Sequence, residues 1–245
     1  RIGSDITFED MKKQSDAVYI ASGTQVSRLL DVPGEDLKGV ESGLGFLKRI
    51  GLKKDMSVPN KLVVIGGGST AMDVARTVIR KGSHHVTLYA RGNHSDASLH
   101  ETQYAMLDGA KFEFNRNVVE INDNGPVFQQ ILYDEEGNAA GVSDEKEQVY
   151  ADSVIISISQ GPKSKLVNTT EGLKATRNGL LQTDEQGETT VEGIFASGDV
   201  VLGAKTVVEA VAYSKTVADA MDAYMKEKAG KEKNEKDGKG LAGRE

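Results

Sequence analysis

The chain has 245 residues and a net charge of −7, which disfavours nucleic acid and anionic membrane surfaces as partners because both are polyanions. It contains no cysteine, which excludes disulfides, a Cys-x-x-Cys redox pair and thiolate-bound iron–sulfur clusters from these residues, so any redox chemistry would depend on organic cofactors. No apolar run approaches the roughly 18 residues that cross a bilayer, and no secretory signal opens the chain, so we expect a cytoplasmic protein.

The first part of the chain, to about Leu52, predicts a strand flanked by helices. Residues 8–14 have helical spacing, and the apolar run at 16–21 predicts a strand that ends in a Ser-Gly-Thr turn at 22–24. Because the chain begins with Arg1 rather than Met, we expect it to be a piece of a longer polypeptide.

The next part has the order of a βαβ unit. A strand at 62–65, a glycine turn at 66–68, a helix at 70–81 and a second strand at 86–90 follow one another without interruption. The helix assignment depends on apolar residues at helical spacing. A nucleotide-binding sheet is therefore expected in this region.

The remaining elements extend that sheet and then change in character. A helix at 98–107 and a strand at 111–115 come first, and the alternating residues of 118–149, broken by turn sequences, predict an antiparallel meander.

Two buried strands at 154–158 and 193–199 follow, and a helix at 207–226 closes the fold. Residues 227–245 are rich in charge and glycine and are expected to form a disordered tail, because they bury too little apolar surface to offset the ordering entropy.

The strongest motif is the glycine turn, which fits the pattern G-x-G-x-x-A between a strand and a helix. Gly66 permits the tight turn, Gly68 lets the backbone approach a diphosphate, and Ala71 keeps the helix close to the strand. The N–H groups at Ser69 and Thr70 begin the helix and would face the phosphate oxygens. This context favours a dinucleotide site over an ordinary glycine turn.

The end of the second strand indicates which dinucleotide is bound. An acidic residue there would bind the ribose 2′-hydroxyl of NAD, but the strand ends at Arg91 with no Asp or Glu. A guanidinium is suited to the 2′-phosphate of NADP by its charge and its bidentate geometry. The alternative is that Arg91 is a solvated loop cation.

A second motif combines an apolar strand with a Gly-Asp turn. Gly198 and Asp199 present a carboxylate at the carboxyl end of that strand, where α/β proteins bind ligands. Thr206 precedes a helix start soon afterwards, which adds a helix dipole beside that carboxylate. Alone this pattern would be a plain turn, but together with the upstream glycine motif it favours a second cofactor site.

These motifs resemble the carboxyl-terminal part of the glutamate synthase small (beta) subunit family of FAD/NADPH oxidoreductases. Four stretches carry the resemblance, and from the first to the last they extend over residues 16–223, which is most of the chain outside its tail. They are DAVYIASGT at 16–24, KLVVIGGGSTAMDVARTVIRKGSHHVTLYAR at 61–91, SVIISISQGP at 153–162 and GIFASGDVVLGAKTVVEAVAYSKTVADAMDA at 193–223.

The resemblance implies an α/β fold in which a Rossmann-like NADPH-binding domain, a parallel sheet plus an antiparallel meander, is inserted into a partial FAD-binding domain. The implied division is 1–56 and 153–226 for the FAD domain, 57–152 for the NADPH domain and 227–245 for the tail. It also implies an FAD fingerprint and cysteine-rich iron–sulfur segments upstream of Arg1.

The resemblance also implies roles for particular residues. NADPH would be held by Gly66, Gly68, Ser69, Thr70, Ala71 and Arg91. FAD would be held by Asp199 at its ribityl chain and by Thr206, Val207 and Val208 at its ring, while Ser22, Gly23 and Gly161 would line the crossing between the two domains, with Gly198 in the turn.

The expected function is NADPH-dependent flavoprotein oxidoreduction, with hydride passing from NADPH to FAD and electrons passing on to a larger subunit or an upstream iron–sulfur segment. No general acid or base and no metal site is expected, because the cofactors supply the chemistry. The alternative is a flavin-free NADPH-binding module or regulatory fragment. A methyltransferase-like nucleotide fold is a weaker alternative, since it predicts an acid near position 91 and leaves the Gly198-Asp199 turn unexplained.

Overall fold

The structure is a computed structural model that describes residues 2, 4–53 and 57–241. In chain order, the strands are β1 (Val18–Ile20), β2 (Val26–Ser27), β3 (Val40–Ser42), β4 (Lys61–Ile65), β5 (His85–Tyr89), β6 (Lys111–Glu113), β7 (Arg116–Asn122), β8 (Gly125–Tyr133), β9 (Ala139–Gln148), β10 (Ser153–Ile156), β11 (Gln160–Gly161) and β12 (Ile194–Ala196). The helices are α1 (Phe8–Lys13), α2 (Gly43–Gly51), α3 (Ser69–Arg80), α4 (Leu99–Asp108), α5 (Lys165–Asn168), α6 (Asp199–Leu202) and α7 (Val207–Leu241).

The chain divides into two compact units, of which one is inserted into the other. The central unit is Ser27–Ser159, and the discontinuous unit is Arg1–Val26 together with Gln160–Glu245. The sequence predicted a central domain of residues 57–152 inserted into a second domain; the central compact unit of the structure begins earlier and ends later than these limits. The central unit extends past residues 57 and 152 because β3 and β10, which lie outside these limits, are strands of its sheet.

The central unit contains a five-stranded sheet in the order β3-β10-β4-β5-β6, with every neighbouring pair parallel. The predicted βαβ unit is present as β4, α3 and β5. From β4 the chain proceeds to β5 on one side, while β10 pairs on the other side. The strand order therefore changes direction between β4 and β10, and the crevice at this point is where open α/β sheets bind ligands.

Both faces of the central sheet are covered, which explains its continuous apolar strands. On one face, Leu62 and Val64 pack with α2, α3 and α4 in a buried cluster. On the other face, Val63 and Ile65 pack against the antiparallel β7–β8–β9 sheet, which is the predicted meander. Alternate residues of one strand thus enter two different cores.

The discontinuous unit is built on β1 and β12, which pair in parallel. One face of this pair contributes Val18, Ile20 and Ile194 to a core that also contains Phe8. On the other face lies α7, where Phe195 meets the ring of Tyr224 edge-on at 5.7 Å between centroids. Among the described residues, the unit is therefore layered around a two-stranded parallel sheet.

Helix α7 is longer than its sequence predicted. It continues to Leu241, so the predicted helix end at Lys226 and the absence of structure from residue 227 are wrong up to that point; residues 242–245 lie outside the described residues. A helix that buries little apolar surface can instead be stabilised by ion pairs spaced one helical turn apart. Lys226 with Asp222 (2.6 Å) and Lys231 with Glu227 (2.7 Å) stabilise a solvated helix without burial.

The turns after β1 and β10 make the same conformational demand, but only one is met by glycine. The third residue after β1 is Gly23, with φ of 64°, and the third after β10 is Ser159, with φ of 126°. A side chain at positive φ is strained. Replacing Ser159 with glycine is therefore expected to raise the free energy of unfolding by about 1 kcal/mol.

Urea denaturation of the two proteins measures this change. Ser15→Gly is a matched control because Ser15 is absent from the positive-φ residues, so glycine there should only lower stability through chain entropy. Equal loss of stability in both variants would contradict the assignment of strain to Ser159.

No helix in the described part of the chain combines the length and the apolar character needed to cross a membrane.

Candidate nucleotide-binding sites

The glycine turn of the central unit connects β4 to α3 at the point where the strand order changes direction. The amide of Gly66 donates to the carbonyl of Tyr89 at 2.9 Å, which ties the turn to the end of β5. Gly66 has φ of 137°, and a Cβ atom there would overlap the carbonyl group of Ser157. Only glycine fits this position without displacing β10 from β4.

Gly67 holds the loop that follows β5. Its carbonyl oxygen accepts hydrogen bonds from the amides of Asp96 (2.9 Å) and Ala97 (3.1 Å) and from the hydroxyl of Ser95 (2.8 Å). Three donors on one carbonyl fix this loop beside the turn. Sequence reasoning did not assign a role to this loop, because no local pattern reveals a long-range backbone acceptor.

Gly68 differs from its neighbours because the space beside it is open. It is the N-cap of α3 with φ of −88°, it provides no side-chain cap, and a Cβ atom placed on it would meet nothing within 4 Å. Its carbonyl accepts the amides of Ala71 (2.9 Å) and Met72 (3.2 Å). The predicted residues Ser69 and Thr70 begin the helix at this open edge, and Ala71 is fully buried against the sheet.

Arg91 lies at the same edge of the sheet as the glycine turn. Tyr89 is the register partner of Ile65, so Arg91 follows β5 by two residues where Gly66 follows β4 by one. Its side chain is exposed, and the carbonyl of its neighbour Gly92 accepts the amide of Asn115 at 3.0 Å. Arg91 thus follows the strand edge that carries the glycine turn, and its side chain is exposed to solvent.

The structure adds the carboxylate of Glu101 to this site. Glu101 caps α4 through Ser98, and its Oε2 also accepts the hydroxyl of Ser69 at 3.2 Å. The hydrogen bond from the Ser98 hydroxyl is the main cause of the lowered pKa of Glu101. A charged carboxylate here repels phosphate and accepts hydrogen bonds from hydroxyl groups such as those of ribose.

The S-x-x-E pattern of 98–101 could have identified the cap. The link to Ser69 depends on packing between α3 and α4 and had no sequence signal. Asp73, one turn into α3, has a raised pKa because of partial desolvation and then because of the charge of Glu101.

The central site also contains an orphaned polar atom. The side chain of Ser157, directly after β10, is 8% exposed, and its hydroxyl has no hydrogen-bond partner among the described residues. A buried hydroxyl without a partner costs free energy. Together with the open space at Gly68, it indicates that the crevice between β4 and β10 fits a polar ligand.

The discontinuous unit brings its predicted residues to one edge as well. The amide of Ser197 donates to the carbonyl of Ile20 at 3.3 Å, so the turns after β1 and β12 are neighbours. This places Ser22 and Gly23 at the same strand edge as Gly198, while Gly161 lies in β11. Beside Gly23, which would have room for a Cβ atom, Thr24 has a buried hydroxyl without a partner among the described residues.

Asp199 and the start of α7 form the rest of this second candidate site. The carboxylate of Asp199 accepts the amide of Lys205 at 3.3 Å. Thr206 caps α7 by accepting the amide of Glu209 at 3.2 Å. Val207 and Val208, in the first turn, are 79% and 76% exposed, so this end of the helix presents apolar surface to a ligand or a covering segment.

Glu209 gives this helix end a measurable pH dependence. Hydrogen bonds from the hydroxyl and then the amide of Thr206, with Lys205 nearby, lower the pKa of Glu209 to about 2. Because the folded pKa lies below the unfolded one, the capping contribution is present above about pH 4.3 and is lost as the pH falls towards 2.

Carbon-detected NMR titration of the Glu209 carboxyl group should therefore give a midpoint near pH 2. Thr206→Val should return the midpoint towards the ordinary value of a glutamate, about 4.3. A midpoint above 4 in the parent chain would contradict this geometry.

Two features define the class of paired nucleotide-binding folds. One is a parallel sheet with a glycine turn at its switch point, and the other is the insertion of this sheet into a second parallel unit with its own polar strand edge. The sequence shows which member of that class this is. The chain belongs to the pyridine nucleotide-disulphide oxidoreductase family, whose sequence pattern matches residues 5–214.

Two curated relatives confirm the resemblance to the glutamate synthase small subunit and its kin. The chain is 32% identical over 249 residues to the glutamate synthase [NADPH] small chain of Halomonas elongata, which covers 91% of this chain and 53% of that protein. It is 31% identical over 241 residues to the NADP(+)-dependent formate dehydrogenase subunit beta of Moorella thermoacetica, covering 93% and 34%. The chain thus spans about a third to a half of the length of these relatives.

Solved structures confirm the fold. Mycobacterium tuberculosis FprA in complex with NADPH matches with a TM-score of 0.74 at 19% identity, over 95% of this chain and 69% of that one. Lactococcus lactis thioredoxin reductase matches with a TM-score of 0.65 at 22% identity, over 86% and 66%. These 245 residues contain no cysteine and so supply no thiol of their own for the disulphide chemistry in the family's name.

Proposed function

We propose that this chain is the NADPH-binding part of a flavoprotein oxidoreductase, in which the central unit binds NADPH and the discontinuous unit forms part of an FAD-binding fold. The observation that carries the proposal is the Gly66-Gly67-Gly68 turn at the switch point of a parallel sheet, with open space at Gly68. The relatives named above are NADPH- and NADP-dependent proteins by name, which supports the same assignment.

The residues of the central unit would act by binding and orientation. The first turn of α3, from Ser69 to Ala71, would direct its amides and its dipole at the diphosphate. Arg91 would pair with the 2′-phosphate, and Glu101 would accept hydrogen bonds from a ribose hydroxyl. When bound, the nicotinamide and flavin would supply hydride chemistry.

In the discontinuous unit, Asp199 would accept hydrogen bonds from a polyol chain, and the first turn of α7 would lie against an electron-rich ring edge. Thr24 would gain a partner for its orphaned hydroxyl. In the described part of the chain this unit has a two-stranded parallel sheet, and a sheet of that size is not expected to be stable alone. The proposal therefore requires further strands beside the edge of β1 that the described residues leave unpaired.

Electrons would pass on to another centre, because these residues contain neither cysteine nor, among the described residues, a cluster of potential metal ligands. The relatives include a small chain and beta subunits, which supports a larger subunit, or an upstream iron–sulfur segment, as the electron partner. One alternative is a flavin-free NADPH-binding module. It is favoured by the small parallel sheet of the discontinuous unit, which has two strands among the described residues.

Visible absorbance separates these two functions. Purified protein that retains flavin absorbance after mixing with FAD and desalting supports the oxidoreductase. Protein that binds NADPH tightly but retains no flavin, even in the full natural polypeptide, is the module.

Arg91 tests the nucleotide preference. Arg91→Ala is expected to weaken NADP+ binding about 10- to 100-fold and to leave NAD+ binding unchanged, because only the former has a 2′-phosphate for a charge-assisted hydrogen bond. Isothermal titration calorimetry measures both affinities. Lys81→Ala, at the opposite end of α3, removes the same charge as a control. Equal preference before and after the change would show that Arg91 is a solvated loop cation.

A further inference from the structure

Three hydroxyl groups meet where β1, β12 and α7 come together in the discontinuous unit. The phenol of Tyr19 contacts the hydroxyl of Ser197 and donates to the hydroxyl of Ser214 at 2.8 Å. The two serine hydroxyls are also 2.8 Å apart. We call Tyr19, Ser197 and Ser214 the hydroxyl cluster.

The hydrogen bonds of this cluster are all donated in one direction. Ser214 donates its only hydroxyl proton to the carbonyl of Ala210 at 2.8 Å, so it must accept from the other members. Tyr19 donates to Ser214, and Ser197 is left to donate to Tyr19 or to Ser214. Every proton therefore leads towards a carbonyl in the first turn of α7.

The first turns of α7 have few other attachments. No side chain between Thr206 and Thr216 is buried, and the first buried residue of the helix is Val217. Tyr213 makes only long hydrogen bonds of 3.4 Å, to Thr183 and to the carbonyl of Asp184. The hydroxyl cluster is thus the main short polar link between the strand ends and this part of the helix.

The cluster also lies next to the Gly-Asp turn. Ser197 directly precedes Gly198, and a Cβ atom placed on Gly198 would be 3.7 Å from the Cβ of Ala210. Ala210, whose carbonyl accepts the proton of Ser214, therefore lies beside the turn that carries Asp199.

We propose that Tyr19, Ser197 and Ser214 are positioning residues that set the first turn of α7 against the Gly198-Asp199 turn and so tune the affinity and the reduction potential of a bound flavin. This inference rests on the proposed flavin site. It assigns no contact with the flavin to the three hydroxyls themselves, which act through the helix.

The test compares Tyr19→Phe and Ser214→Ala with the parent in the full natural polypeptide. Tyr213→Phe is the control, because it removes a tyrosine hydroxyl from α7, the helix that carries Ser214, without touching the cluster. Amide hydrogen exchange in residues 207–214 should be about three- to tenfold faster in both cluster variants and unchanged in the control. FAD should bind about threefold or more weakly, and its midpoint potential should shift.

Each outcome has a distinct meaning. Faster exchange with an unchanged flavin potential and affinity reduces the cluster to a structural role and overturns the proposal, as does unchanged exchange. The double variant should show less than the sum of the single effects, since both remove the same chain of bonds. If the parent protein retains no FAD, the proposed flavin function itself is refuted. If the parent and Tyr19→Phe bind FAD equally well, only this inference is refuted.

Discussion

Replacing Gly68 with threonine is expected to weaken NADP+ binding about 100-fold while the chain stays folded. The backbone at Gly68 has an ordinary φ of −88°, and a Cβ atom there meets nothing in the protein. Threonine is about as acceptable as glycine at an N-cap, so stability should change little. The side chain would instead fill the space through which a diphosphate approaches the amides of α3.

Calorimetric titration with NADP+ and urea denaturation of the same variant measure the two effects separately. Gly51→Ala, at the end of α2 where a Cβ atom is equally free, should leave the affinity unchanged. Full NADP+ affinity in a folded Gly68→Thr protein would show that the open space is not the ligand space.

Replacing Gly66 with alanine is expected to have the opposite result, a large loss of stability. Its φ of 137° is strained for any side chain, and the added Cβ atom would overlap the backbone carbonyl of Ser157. Either β10 must separate from β4 or the turn must move. We expect the free energy of unfolding to fall by about 3 kcal/mol.

The urea midpoint measures this loss, and the slope of the transition shows whether the folded state has remained compact. Gly51→Ala is again the control and should be neutral or slightly stabilising, because alanine favours the helical conformation. A Gly66→Ala protein as stable as its parent would contradict the packing of the turn against β10.

Much of the central unit could be predicted because its signals are local. The strand, the glycine turn and the helix of 61–80 follow one another, and their period and turn residues identify each element. The meander was predicted from alternation and turns. In contrast, β3 and α2 had no assigned pattern, and β10 was placed in the wrong unit, because pairing with β4 is a long-range contact that an apolar run alone does not specify.

The candidate sites also combine residues that have a local sequence signal with contacts that have none. Gly66 and Gly68 and their different roles were predicted from the motif, but the carbonyl of Ser157 beside Gly66 and the open space beside Gly68 are seen only in the structure. The links of Glu101 to Ser69 and of Tyr19 to Ser214 join residues that are far apart in the chain. Neither has a sequence signal, since each depends on the distance between packed elements.

The amides of the glycine turn provide the most direct test of the central claim. In an NMR titration of the isotopically labelled chain with NADP+, the amide signals of Gly66, Gly68, Ser69 and Thr70 should shift in a saturable way, and Gly68→Thr should abolish the shifts. Signals that stay in place at saturating nucleotide would contradict the assignment of this turn to a dinucleotide.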